Sequence, residues 1–327
     1  MLDVKSMANQ NSRVVKKLLH LVFCFGLLCL ATSSIAQDLE HVLFILSRDA
    51  PNYTKIVDLV RTGLSDKKKD YSFTTVSKDA DTEIDKAIKE ATIIVTLGTG
   101  AADVAISRDS DKPLIASLIT DSAFTDLAKK YRGSTSKALA SGINAILLDQ
   151  PLERSTSLAS LLIPKLKKIA IMLGPSAGTK VRDHRDQLKN AGIIPQILSI
   201  TAADNPIHKI APVIKNTDVF IPVPDSRLIN VTTAKWILQL GYKYSVPVIG
   251  FSKNYVTAGA LAAVYSSPEN VARQTIEVIR DQNLRDYSLN RIYRPKYCTV
   301  TVNTTVAWHL EIQTRDERFY QGELCEL

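Results

Sequence analysis

Six short segments place polar and charged side chains beside small residues. They are Ser47-Arg48-Asp49, Gly98-Thr99-Gly100-Ala101, Thr120-Asp121-Ser122, Gly174-Pro175-Ser176-Ala177-Gly178-Thr179, Pro224-Asp225-Ser226-Arg227 and Phe251-Ser252-Lys253-Asn254. Each follows an apolar run and precedes a helical pattern, so each reads as a strand-to-helix turn. Exposed N–H groups and the helix dipole at such turns favour a carboxylate or phosphate. Arg48 and Arg227 offer guanidinium forks that can hold a carboxylate bidentately. Asp225, after Pro-Val-Pro, can accept a ligand ammonium or cap the next helix. Ser47, Ser176 and Ser226 carry the same double reading, as helix caps or as ligand contacts.

Catalytic spacing is sparse in the sequence. Gly174-Pro175-Ser176-Ala177-Gly178 has the G-x-S-x-G spacing, but there is no H-E-x-x-H, and beyond residue 36 the histidines His41, His184, His208 and His309 are scattered, with no close His/Cys pair. Gly98-Thr99-Gly100 opens like a dinucleotide fingerprint, but Asp103 stands where the third glycine belongs. The reading is therefore a binding protein rather than an enzyme, with no cofactor and no metal.

The elements that position these turns alternate regularly. Continuous apolar runs at His41–Leu46, Thr92–Leu97, Leu114–Leu118 and Gly142–Leu148 read as strands covered on both faces. Amphipathic stretches between them, such as the one carrying Ile56, Val57, Val60 and Leu64, read as helices. The pattern restarts with a helix over Pro151–Leu162 and strands at Lys168–Leu173, Ile194–Ile200, Asp218–Val223, Val246–Gly250 and Leu261–Tyr265. Helices are expected over Ser176–Ala191, Asn205–Lys215, Ser226–Leu240 (closed by Gly241) and Pro268–Asp281. A last strand over Tyr297–Val302 precedes a short helical tail. Such alternation implies an α/β fold of two similar doubly wound parallel-sheet lobes with right-handed crossovers. Ligands of such sheets sit outside the carboxyl ends of the strands, where the six turns lie.

Composition narrows the class. Hydrophobic residues make up 45% and charged residues 23% of 327, the usage of a globular protein, and a mean hydropathy near zero excludes a multi-span membrane protein. The formal charge is +8. Part of it lies in residues 1–36, where Arg13, Lys16 and Lys17 precede an apolar run over Leu18–Ala31 and a Ser34-Ile35-Ala36 cleavage site. This is the pattern of a cleavable export signal, and an uncleaved segment would leave a tethered chain. Its removal leaves a balance of +5, with no basic cluster interleaved with aromatics, so nucleic acid is not an expected partner. Met7 can serve as the start as well as Met1. Two cysteines remain, Cys298 and Cys325, and an oxidising compartment permits a bridge between them.

The most specific signal is a family resemblance. The stretches VLFILSRDAPNYTKIVDLVRTGL, TLGTGAADVAI, LLDQPLERSTSLASLLIPKLKKIAIMLGPSAGTK, DVFIPVPDSRLI and VPVIGFSKNYVTAGALAAVYSSPENVARQTIEVI resemble ABC-transporter substrate-binding proteins of the TrpX/YrpB-like family. The ending PKYCTVTVNTTVAWHLEI is similar to that family's closing strand and helix. The resemblance implies a type 1 periplasmic-binding-protein fold, its two lobes joined by three hinge crossings. Lobe one would comprise residues 38–148 and 266–294, and lobe two residues 149–265 and 295–327. It further implies a monomer in the periplasm that delivers a small ligand to an ABC permease. The same fold can also serve as a sensor for a membrane receptor or kinase.

By the same resemblance, Gly98–Ala101, Thr120 and Asp121 would hold the ligand's carboxylate side from lobe one. Ser176, Gly178, Thr179, Asp225, Ser252 and Asn254 would contact it from lobe two, with Tyr265 beside the hinge. Two departures bear on the ligand. An Asn-Ser-Glu-like loop common in the family is Gly174-Pro175-Ser176-Ala177-Gly178 here, and Arg227 introduces a bulky cation after Asp225. With both departures an aromatic amino-acid ligand does not carry over, and Arg227 with the helix N-termini would suit a ligand with an additional acidic group.

Overall fold

The computed structural model describes residues 39–65, 70–174, 181–201, 203–225, 228–281 and 291–325. The export-signal reading of residues 1–36 therefore lies outside the described residues. So do Ser176, Gly178, Thr179, Ser226 and Arg227.

The first lobe is built on β1 (Glu40–Leu46), β2 (Tyr71–Ser77), β3 (Ile93–Leu97), β4 (Leu114–Ile119) and β5 (Ile143–Leu147). They alternate with α1 (Pro51–Leu64), α2 (Asp81–Glu90), α3 (Thr99–Ser107), α4 (Asp121–Arg132) and the short α5 (Thr135–Ala140). The continuous apolar runs are continuous because both sides are covered. Leu43 and Ile45 of β1 pack under α2, α3 and α4, while Val42 and Phe44 pack under α1 and a helix from the chain's far end. Burying each such side chain contributes roughly 1.5–3 kcal/mol. The edge strand β2 is only half-buried, in keeping with its alternation of Thr and Ser with Phe and Val.

The second lobe repeats the plan. Its elements are α6 (Leu152–Leu162), β6 (Lys168–Leu173), α7 (Val181–Asn190), β7 (Ile194–Ser199), α8 (Pro206–Ile214), β8 (Val219–Pro222), α9 (Val231–Tyr244), β9 (Ile249–Gly250), α10 (Lys253–Thr257) and β10 (Ala262–Tyr265). The chain then returns to the first lobe as α11 (Pro268–Arg280) and β11 (Ile292–Tyr293). It crosses once more into β12 (Thr299–Val302), α12 (Thr304–His309) and α13 (Glu317–Cys325).

Sheet order is β11-β5-β4-β3-β1-β2 in the first lobe, all parallel. In the second lobe, β7-β6-β8 and β12-β10-β9 meet through a parallel bridge between Phe220 and Val248. The fold is thus two doubly wound lobes joined by three crossings. These run between β5 and α6, between β10 and α11, and between β11 and β12.

The structure departs from the sequence reading at several elements. β12 runs antiparallel to β10, because the chain enters it directly from the other lobe with no crossover helix to reverse its direction. Gly241 does not end α9; the helix continues to Tyr244 and stops at Ser245, which takes a left-handed φ of 54°. Gly241 instead permits close packing, since a Cβ there would stand 2.9 Å from the Val246 carbonyl oxygen. The expected Val246–Gly250 strand shrinks to two residues plus the Val248 bridge. The single helical tail is two helices, and Cys298 is joined to Cys325 of the second by a disulfide with Cα atoms 5.2 Å apart.

Candidate functional site

The carboxyl ends of both sheets carry the polar turns, and lobe one assembles its turns around β3. Gly98 takes φ +90°, which L side chains rarely adopt. A Cβ there would lie 2.7 Å from Ser47 Oγ and 2.8 Å from the Tyr53 hydroxyl. Ser47 Oγ accepts the Ala101 N–H at 2.7 Å, so the turn after β1 is fastened to the first turn of α3. Lys78, from the turn after β2, approaches Gly100 and pairs with Asp79. Ser47 and Gly98–Ala101 therefore form one unit, which also draws in Tyr53 and Lys78. Arg48 is exposed and lies over the Tyr53 ring, with its guanidinium carbon 5.4 Å from the centroid.

The β4 end is irregular. Its pairing with β5 shifts register between Ala116 and Ile119, and Leu118 takes a left-handed φ of 55°. A non-glycine residue held there costs on the order of 1–3 kcal/mol. The bulge turns Thr120 onto the N-terminus of α4, where its Oγ1 accepts the Ala123 N–H at 3.2 Å. The next residue, Asp121, donates its N–H to Asp149 Oδ2 at 2.7 Å. Asp149 sits in the first crossing. Burial, together with the nearby charge of Asp225, pushes its carboxyl up to about 6, well above the ordinary range.

Lobe two contributes Asp225, only 3% exposed at the end of β8. Its carboxylate lies over the α-carbon of Gly174, at the end of β6; a Cβ on Gly174 would come 2.3 Å from Asp225 Oδ2. Gly174 thus makes the room in which Asp225 sits. The Asp225 carbonyl also accepts the N–H groups of Leu228 and Ile229, at 3.1 and 2.8 Å.

A second cluster lies at the return crossing. Ser252, Asn254 and Tyr265 line a cavity of 790 Å³ together with Asn52 and Lys55 of α1, the start of α11, and Gln321 of α13. Ser252 caps α10 through the Tyr255 N–H at 3.4 Å, and the Tyr265 hydroxyl hydrogen-bonds Thr301 Oγ1 at 3.1 Å. Lys55 pairs with Glu269 at the rim and holds that carboxyl down to about 2.

Three contributors carry no distinguishing signal in the sequence. Asp149 sits inside the LLDQP stretch, which reads as the lead-in to a helix. Gly174 stands out only as part of a loop, because the group above it comes from a turn some fifty residues later. Gln321 belongs to a tail with no pattern pointing at the cleft.

A helix N-terminus on one lobe, a buried carboxylate on the other and three crossings beside them make up the architecture of a two-lobed α/β protein. Residues 42–320 match the family model described as ABC transporter substrate binding protein, and the chain belongs to that family. Solved structures share the fold at low identity. The ligand-free, open form of a substrate-binding protein with adhesive properties from Clostridium difficile has a TM-score of 0.61 at 14% identity. That match covers 85% of this chain and 96% of the other. A conserved domain protein from Vibrio cholerae gives 0.58 at 16%, and an ABC domain in complex with L-Trp from Streptococcus pneumonia gives 0.55 at 16%. Both of these matches cover 86% of this chain and 98% of the other. No curated protein sequence matches the chain.

Proposed function

We propose that the chain is exported to the periplasm, captures a small amino-acid-like ligand bearing a carboxylate between its lobes, and delivers it to an ABC permease. The observation that carries this reading is the polarity of the cleft. Lobe one presents the N-terminus of α3, which attracts a carboxylate, while that of α4 is engaged by Asp149 and by its Thr120 cap. Half-buried Asp149 and buried Asp225, close enough for one to raise the other, form a negative pole suited to an ammonium. A zwitterion matches the charge of both poles at once, whereas a neutral sugar could answer them only with hydrogen bonds. The L-Trp complex of the Streptococcus domain is in keeping with an amino-acid ligand. Ser47 and Gly98–Ala101 would face the carboxylate, and Asp225, with Thr120 and Asp121 beside Asp149, the ammonium. Ser176, Gly178, Thr179, Ser226 and Arg227 complete the proposed contacts from lobe two, and Arg227 or Arg48 would receive a further acidic group.

Binding of this kind needs no bond chemistry. Closure selects the ligand-bound state through the interactions that form when the second lobe reaches the ligand. Native mass spectrometry of the gently purified mature chain tests the assignment. The expected result is an adduct with the mass of an amino acid or a close derivative. An adduct with the mass of a sugar or polyol, or an unliganded chain that acquires no adduct from an amino-acid mixture, would overturn it.

A further inference from the structure

The three crossings are not independent strands, because a side chain of the first one and another from the opening turn of α6 hold the other two. Gln150, the last residue but one before α6, donates from Nε2 to Ser266 Oγ in the second crossing at 2.9 Å. The same amide nitrogen donates to the Tyr297 carbonyl in the third crossing at 3.1 Å. Its Oε1 accepts from Arg154, one helical turn on, at 2.6 Å. Arg154 in turn donates to the carbonyls of Pro295 and Lys296, both at 3.0 Å. A half-buried primary amide that engages both other crossings, and is itself held by a guanidinium, fixes the set of one crossing against the next.

We propose that Gln150, held by Arg154, is a positioning residue for lobe closure. It does not touch the ligand. It sets the angle at which the lobes rest, and so the share of molecules poised to close. Opening or closing must change backbone angles in the crossings, and every such change moves Ser266, Pro295, Lys296 or Tyr297 relative to Gln150 and Arg154. The bonds they share therefore favour one resting angle over its neighbours. The inference rests on the reading that the lobes close around a ligand.

The test uses the full mature chain with its disulfide left oxidised. Spin labels are carried by Lys86→Cys on α2 and Lys235→Cys on α9, both on solvent-facing helices. Pulsed dipolar spectroscopy without added ligand reads the inter-lobe distance. Gln150→Ala and Arg154→Ala are expected to raise a second distance to above ~10% of the population, with the thermal midpoint unchanged. Gln150→Glu, which keeps the acceptor for Arg154 and loses both donated bonds, should shift the distribution in the same direction. Distributions that superimpose on the parent would overturn the proposal. So would a shift matched by a fall in thermal midpoint, since the pair would then be general packing. A parent whose distribution no amino acid changes would sink the ligand reading and leave the hinge result standing.

Discussion

Asp149, which the proposed site uses as part of its negative pole, is held at the expense of stability. Its carboxyl, half-buried and partly desolvated in the first crossing and near the charge of Asp225, is raised to about 6. The folded state therefore holds this proton more tightly than the unfolded chain does. The resulting stabilisation is fully present below about pH 4, the ordinary carboxylate value, and is lost as pH rises through about 6. Asp149→Asn removes the charged form and keeps an oxygen to accept the Asp121 N–H. It should stabilise the unliganded protein at pH 8 by on the order of 3 kcal/mol and give no gain near pH 4. Urea unfolding at the two pH values checks the sign. In the sequence Asp149 is legible only as a carboxylate shortly before a proline. Its burial and its neighbour come from turns far apart in the chain, which local spacing does not encode.

At the scale of elements, the continuous apolar runs are legible because burial on both faces leaves nothing polar to interrupt them. β12 is legible as a strand, but its direction is not, since that depends on which lobe the chain arrives from. The close approach of α9 to Val246 and Val248 is likewise invisible, and without it Gly241 looks like a helix end. α13 is the element most dependent on a covalent tie. It packs Tyr320 and Leu324 into the second-lobe core, and its Cys325 is bonded to Cys298, 27 residues earlier in the third crossing. Closing a loop of that length contributes roughly 3–4 kcal/mol through the unfolded chain. Reduction, or a Cys298→Ser/Cys325→Ser double substitution, should lower stability by about that amount. Chemical unfolding with and without reductant measures it; an unchanged midpoint would show that packing alone secures α13.

For the whole molecule, alternation of strand and helix patterns is enough to indicate two wound lobes, and the carboxyl-end rule places the polar turns at the cleft. What the lobes do to each other is not accessible that way. The grip of Gln150 and Arg154 on carbonyls over a hundred residues away has no local signature, nor does the seat that Gly174 leaves for Asp225. The central claim is that this cleft selects a zwitterion. Thermal denaturation of the mature chain in the presence of amino acids, their amides, their deaminated acids and common sugars tests it most directly. A saturating ligand at about a thousand times its Kd contributes about 4 kcal/mol, several degrees of midpoint. At least one amino acid is expected to raise the midpoint by that much, while its amide and deaminated forms do not. Stabilisation by a sugar or polyol, or equal stabilisation by a zwitterion and its deaminated acid, would contradict it.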